Sequence, residues 1–235
     1  MEDIDVIAAL QDPVRRRLYE YVAAQGREVG RNEAAEAAGV ARTLAAHHLD
    51  KLTEVGLLES GSRRLTGRSG PGAGRPAKVY TRVRTERSVS LPARDYRTAA
   101  ELLAEAAEQA GLDAGLCAAA HRRGEALRGS AEPCTGLAEA MEVLAARGYE
   151  PYLDGAEGPG GAPGADEAAG RAEPAIRMRN CPFHAVAERF PPLVCGMNLA
   201  LLEGLLGADG PVRARMEARP GECCVVVEAS KDNDH

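Results

Sequence analysis

Along the first third of the chain, apolar residues return at helical spacing in short bursts that glycine interrupts. Val14, Leu18, Tyr21 and Val22 recur on one face, and Asp12-Pro13 ahead of them supplies a capping carboxylate and a proline at the first helical position. A helix is expected from there to Gly26. The next burst, 31–56, reads as two helices around a tight turn. Small Ala34, Ala35 and Ala38 let the first approach the second, Gly39 makes the turn and Val40 plugs the junction. Leu44, His48, Leu49 and Leu52 are expected on the inner face of the second helix, which leaves Arg42, Thr43, Ala46, His47 and Lys51 outside. Val55-Gly56-Leu57-Leu58 then closes that helix and opens a strand, and 75–82 reads as a strand returning after a stretch of Gly, Ser and Arg. A helix-turn-helix followed by a basic hairpin has the pattern of a winged helix, whose second helix enters the major groove while the wing tracks backbone or minor groove.

Ser90-Leu91-Pro92 breaks the chain. Asp95 is placed to cap an alanine-rich helix carrying Tyr96, Leu102 and Leu103, and a second helical stretch covers about 112–127. Small apolar faces on both suit packing in a dimer. An amphipathic helix over 135–147 and a strand over 149–153 follow. Residues 154–173 are mostly Gly, Ala, Pro, Asp and Glu with no apolar period, the composition of a mobile surface loop. Beyond it the order is a strand over 175–179, a short helix with Pro182 at its first position, and an apolar helix with Leu199, Leu202, Leu205 and Leu206 down one side. A strand over 212–218, a Pro-Gly turn and a last strand opened by Cys223-Cys224 complete the pattern. The expected fold class is therefore α+β, in three parts: an N-terminal winged helix-turn-helix over 1–90, a helical dimerisation linker over 91–130, and a small C-terminal α+β sensor domain over 131–235 with a flexible loop at 154–173.

Charge sharpens this division. The net charge is −6, yet up to Arg94 there are 16 Lys and Arg against 12 Asp and Glu, whereas the remainder has 13 against 23. Within 60–88, eight basic residues (Arg63, Arg64, Arg68, Arg75, Lys78, Arg82, Arg84 and Arg87) face the single acid Glu86. A basic block on an acidic body points to an anionic partner for the N-terminal part alone, and beside a recognition helix that partner is double-stranded DNA. Arg42 and His47 are candidates for reading base edges; Thr43, Lys51, Arg63, Arg64, Arg68, Arg75 and Lys78 are candidates for phosphate contact. His48 is assigned to the inner face. No glycine-rich phosphate loop or nucleophile motif is present, so an enzyme is not expected. Mean hydropathy is −0.28 and no apolar run reaches the ~18 residues of a membrane span. The acidic start Met1-Glu2-Asp3 is no signal peptide, and a cytoplasmic location follows as the expectation.

In that compartment the six cysteines should be reduced, which favours ligand or redox duty over a disulfide frame. Cys117, amid alanines, reads as packing, and Cys134, in a Pro-Cys-Thr turn, as a position where serine would cost little. Cys181, Cys195 and the Cys223-Cys224 pair fall where the pattern changes element, so their thiols can meet at one point. On a strand adjacent residues face opposite ways, so only one of Cys223 and Cys224 should point there. The spacing matches no short zinc knuckle. Three readings stay open on these residues: an iron-sulfur cluster, a zinc or thiol-based site, and small buried side chains in a regulator that binds an organic effector.

The helix-turn-helix with 42–52, the wing strand Gly74-Arg75-Pro76-Ala77-Lys78-Val79-Tyr80, the segment Leu91-Pro92-Ala93-Arg94-Asp95-Tyr96 and the run Asn180-Cys181-Pro182-Phe183-His184 with the later Cys195 and Cys223 resemble the SufR family, within the broader ArsR-like and DeoR-like regulators. Members are dimeric repressors of iron-sulfur cluster assembly genes. The resemblance covers nearly the whole chain outside the Gly-Pro loop, and only its cysteine half is specific. It implies a homodimer on a pseudo-palindromic operator and a 4Fe–4S or 2Fe–2S cluster ligated by Cys181, Cys195 and Cys223, the fourth ligand being His184, Cys224 or a non-protein group. Two features depart from the family pattern: one extra residue separates Cys181 from Cys195, and the third position is a doublet.

Overall fold

The computed structural model describes residues 2–63, 76–155 and 174–230. The chain begins with α1 (Glu2–Ala8) and a turn of 3-10 helix (Ala9–Gln11), which the apolar spacing did not signal. Asp12 then caps α2 (Pro13–Gln25), its carboxylate accepting from the backbone N–H groups of Val14 and Arg15, both at 2.9 Å. This satisfies two donors that the first turn would otherwise leave bare. A two-residue strand, β1 (Val29–Gly30), leads into α3 (Arg31–Ala38) and α4 (Arg42–Glu54). Gly39 between them has φ +64°, the left-handed conformation that ends a helix without a Cβ penalty. β2 (Leu58–Arg63) and β3 (Ala77–Arg82) pair antiparallel from Leu58↔Arg82 to Arg63↔Ala77, and β1 adds on the other side of β3. Leu18, Val22, Val29, Ala34, Ala45, Leu49, Leu52, Leu58 and Tyr80 form the buried core of this unit, Met1–Arg94.

The second unit is Asp95–His235. Asp95 accepts from the Thr98 N–H at 2.9 Å and caps α5 (Tyr96–Gln109), which is followed by α6 (Asp113–Arg128). Next come α7 (Leu137–Ala145), β4 (Pro151–Asp154), β5 (Ala175–Met178), the single turn α8 (His184–Ala187), α9 (Pro191–Leu206), β6 (Val212–Met216) and β7 (Val225–Ala229). The strands form one antiparallel sheet in the order β4-β5-β7-β6. The fold class is thus α+β. Leu144, Ile176, Met178, Leu202, Leu206, Val225 and Val227 pack α7 and α9 on the sheet.

α5 and α6 belong to this same unit. Ala104 of α5 joins Phe190, Leu193 and Val194 in a small core, and α6 lies along α9. Their contact is set by glycine: a Cβ on Gly124 would stand 2.2 Å from the Leu201 carbonyl oxygen, and one on Gly204 2.2 Å from that of His121. The two backbones therefore meet where neither residue has a side chain. Of the expected loop, 156–173 lies outside the described residues, as do the wing residues 64–75; Asp154 closes β4. Pro182 precedes α8 by two residues and its helix begins at His184, not at the proline. Cys134 is 4% exposed in the main core, and its N–H donates to the Leu206 carbonyl at 2.9 Å, so the expectation of an inconsequential turn position is corrected.

Candidate functional site

The first unit presents α4 with Arg42, Thr43, His47 and Lys51 exposed and His48 buried. Leu44 is 42% exposed, against the expectation, and Ala45 is fully buried in its place. Ala45, His48, Leu49 and Leu52 follow the i, i+3, i+4, i+7 stripe that enters the core shared with Ala34, Ala35 and Ala38. Leu44 joins the outward face instead.

One acidic residue organises the cations around this helix. Asp50 of α4 accepts from Lys78 Nζ at 2.8 Å, from the Tyr80 hydroxyl at 2.6 Å and from Arg31 Nη2 at 3.1 Å, while Arg31 Nε donates to the Tyr80 oxygen at 2.9 Å. The start of α3, the recognition helix and the wing strand are thereby tied at one carboxylate. Burial opposes the Asp50 charge, but donation from Lys78 and Tyr80 outweighs it and holds the carboxyl below its ordinary range. Burial, then the neighbouring Asp50, pushes the Tyr80 phenol up to about 12. Two further expected phosphate contacts have carboxylate partners: Lys51 with Glu54 at 3.1 Å and Arg63 with Glu28 at 3.5 Å. Arg27, Arg31, Arg42, Arg63 and Lys78 line a groove of about 950 Å³ between the start of α3 and the wing strands. Arg64, Arg68 and Arg75 lie outside the described residues.

The second unit brings the four late cysteines together. Cys181 follows β5, Cys195 sits one turn into α9, and Cys223 and Cys224 precede β7. Their thiols form a chain of sulfur contacts in the order Cys181, Cys223, Cys224, Cys195. β7 starts only at Val225, so strand alternation does not reach the doublet and both of its sulfurs take part. Donation from Cys181 first, and then from Cys224, draws the Cys223 thiol well below its ordinary range. Cys181 and Cys224 are pushed up, as donors to that sulfur and by burial. Cys223, 2% exposed, lies between Cys181 and Cys224 in this group of thiols. His184 is elsewhere: its imidazole is 65% exposed and Nε2 lies 3.2 Å from Glu188. Among the described residues, no three His, Cys, Asp or Glu side chains are set around one point as a single ion requires.

Two residues that the sequence reading did not single out complete the network. Asn198 is fully buried, and its Nδ2 donates to Cys223 Sγ at 3.4 Å. Its Oδ1 accepts from the Tyr149 hydroxyl at 2.5 Å. Burial, followed by the thiols of Cys181, Cys223 and Cys224, raises the Tyr149 pKa, so the phenol stays protonated as a donor. The available signal was an amide within the apolar run from Leu193 to Leu206, one turn beyond Cys195.

Residues 10–61 match the family model of a helix-turn-helix domain. No curated protein and no solved structure matches the chain. Among the described residues no helix is long and apolar enough to cross a membrane.

Proposed function

We propose that this DNA-binding transcriptional regulator, carried to that description by its helix-turn-helix domain, is a repressor that senses iron-sulfur cluster or redox status through Cys181, Cys195 and Cys223, with Cys224 as the fourth thiol. The observation that carries the reading is the meeting of four free thiols from three separate stretches of one unit, in a chain shared among several sulfurs. A single zinc ion needs its ligands about one point at roughly 2.3 Å, whereas a cluster takes one thiolate per iron and spreads them. The donor set fits the second. When bound, a cluster supplies a redox-active centre whose charge changes by one electron.

What the chain's own residues do can be derived without it. Cys181 after β5 and Cys195 in the first turn of α9 each bring a separate stretch to the Cys223-Cys224 pair before β7. α9 also carries the glycine crossing with α6, which makes α6 the element that a displacement of α9 must move. The homodimer belongs to the same proposal. Tyr96, Leu102, Leu103 and Leu112 are 54–75% exposed on and beside α5, an apolar face of the kind that a second copy buries. Two copies would set two α4 helices on a pseudo-palindromic operator, with half-sites about 34 Å apart per helical turn.

The experiment is anaerobic purification of the full chain with iron and visible absorbance measured, then operator binding before and after air exposure. A brown protein with iron near stoichiometric, losing it in Cys181→Ser, Cys195→Ser and Cys223→Ser, supports the reading. Colourless protein with one zinc per chain, or metal-free folded protein, replaces it with the other two readings in turn.

A further inference from the structure

The amide of Asn198 is the most deeply buried polar side chain of the thiol network, and nothing in an apolar helix requires it. A leucine of similar size would fill the same space without leaving polar atoms to satisfy. Both ends of the amide are committed instead: Oδ1 to Tyr149 at 2.5 Å, Nδ2 to Cys223 Sγ at 3.4 Å. The Tyr149 hydroxyl, itself buried, donates to Oδ1. With Oδ1 so held, the N–H group faces sulfur.

We infer that Asn198 is a positioning residue for Cys223: oriented by Tyr149, its amide holds the Cys223 sulfur in place and stabilises negative charge on it. The inference rests on the site reading proposed above as far as the cluster is concerned; the hydrogen-bond relay itself does not. An N–H donor to a ligating sulfur favours the more negative, reduced state, so its removal lowers the midpoint potential of a cluster held there. Tyr149 acts one step back, through the orientation of the amide, and its loss should do less.

Two measurements on the full-length protein test this. In the metal-free, thiol-reduced protein, the Asn198 side-chain amide pair in a nitrogen-edited NMR spectrum should shift in C223A and in Y149F, while the Asn32 pair of the first unit stays put. Unmoved Asn198 signals in both variants overturn the relay, and this arm stands whether or not the wild-type protein takes up a cluster. In anaerobically reconstituted protein of equal iron content, the midpoint potential should fall in N198L and fall by less in Y149F, with visible spectra otherwise alike. A potential unchanged in both, alongside altered thermal stability, would make Asn198 a packing residue only. If N198L does not fold, Y149F carries the potential measurement alone. Wild-type protein that binds no cluster defeats the proposed function and leaves the NMR arm to decide the relay.

Discussion

At the scale of single residues, burial and hydrogen bonding decide which of the cysteines and acids matter. Cys134 is 4% exposed with apolar neighbours, and serine there would bury a hydroxyl in place of a soft sulfur. Cys134→Ser should cost about 1–3 kcal/mol in denaturant unfolding, while Cys117→Ser, at a half-buried site, should cost clearly less. Asp50 makes the opposite case, a partly exposed carboxylate valued for its partners. Its folded pKa is depressed, so the stability it contributes is present above the unfolded value of ~3.9 and is lost as pH falls through the folded one. Asp50→Asn should therefore destabilise the first unit by about 1 kcal/mol at neutral pH, and the difference from wild type should shrink as pH falls through the folded value. It should also free Lys78 and Arg31, so that non-specific DNA binding rises while discrimination for the operator falls. An unchanged ratio of specific to non-specific affinity would remove the carboxylate from the reader.

At the scale of elements, the contact of α6 with α9 is the one that tolerates least. Gly124→Ala places a methyl group 2.2 Å from one backbone atom and 2.7 Å from another, neither of which can swing aside as a side-chain tip would. The helices must part, and about 3 kcal/mol or more of stability should go with them. Gly115→Ala on the same helix meets nothing within 4 Å and should gain about 0.5–1 kcal/mol from helix propensity alone. Thermal unfolding of the two variants side by side checks the pair; equal effects would contradict the close crossing. Helices of this kind were legible as helices in the sequence, because caps such as Asp12 and Asp95 and stripes such as Leu18–Val22 are local. α1, the 3-10 turn and β1 were not, being short and held by neighbours rather than by their own pattern.

At the scale of the whole molecule, the two units differ in charge, the first carrying 16 Lys and Arg against 12 Asp and Glu and the second 13 against 23. If the basic residues of the first hold DNA, that hold depends on salt, each neutralised phosphate adding roughly 0.9 to the slope of log affinity against log salt. Neutralising Arg63, Arg64, Arg68 and Arg75 together should flatten that slope by up to about 3–4. Arg63 starts from a contact with Glu28, which it must give up to reach a phosphate. An unaltered slope, measured by operator titration from low to physiological salt, would take the wing out of the interface.

The sequence by itself determined the α+β class, the helix-turn-helix with its basic hairpin, and the gathering of cysteines at element ends, since all three follow from periodicity, turn chemistry and composition within short windows. It put Leu44 of α4 on the inner face, where the packed core takes Ala45 instead. It could not show that Cys223 and Cys224 both reach the network, that His184 turns to Glu188, or that Asp50 binds Lys78 and Arg31. Each of these is a choice among partners far apart in the chain, made by distances that exist only once the sheet and helices are packed. The Tyr149–Asn198–Cys223 relay joins a residue before β4, one on α9 and one before β7. Packing alone puts those three atoms in line.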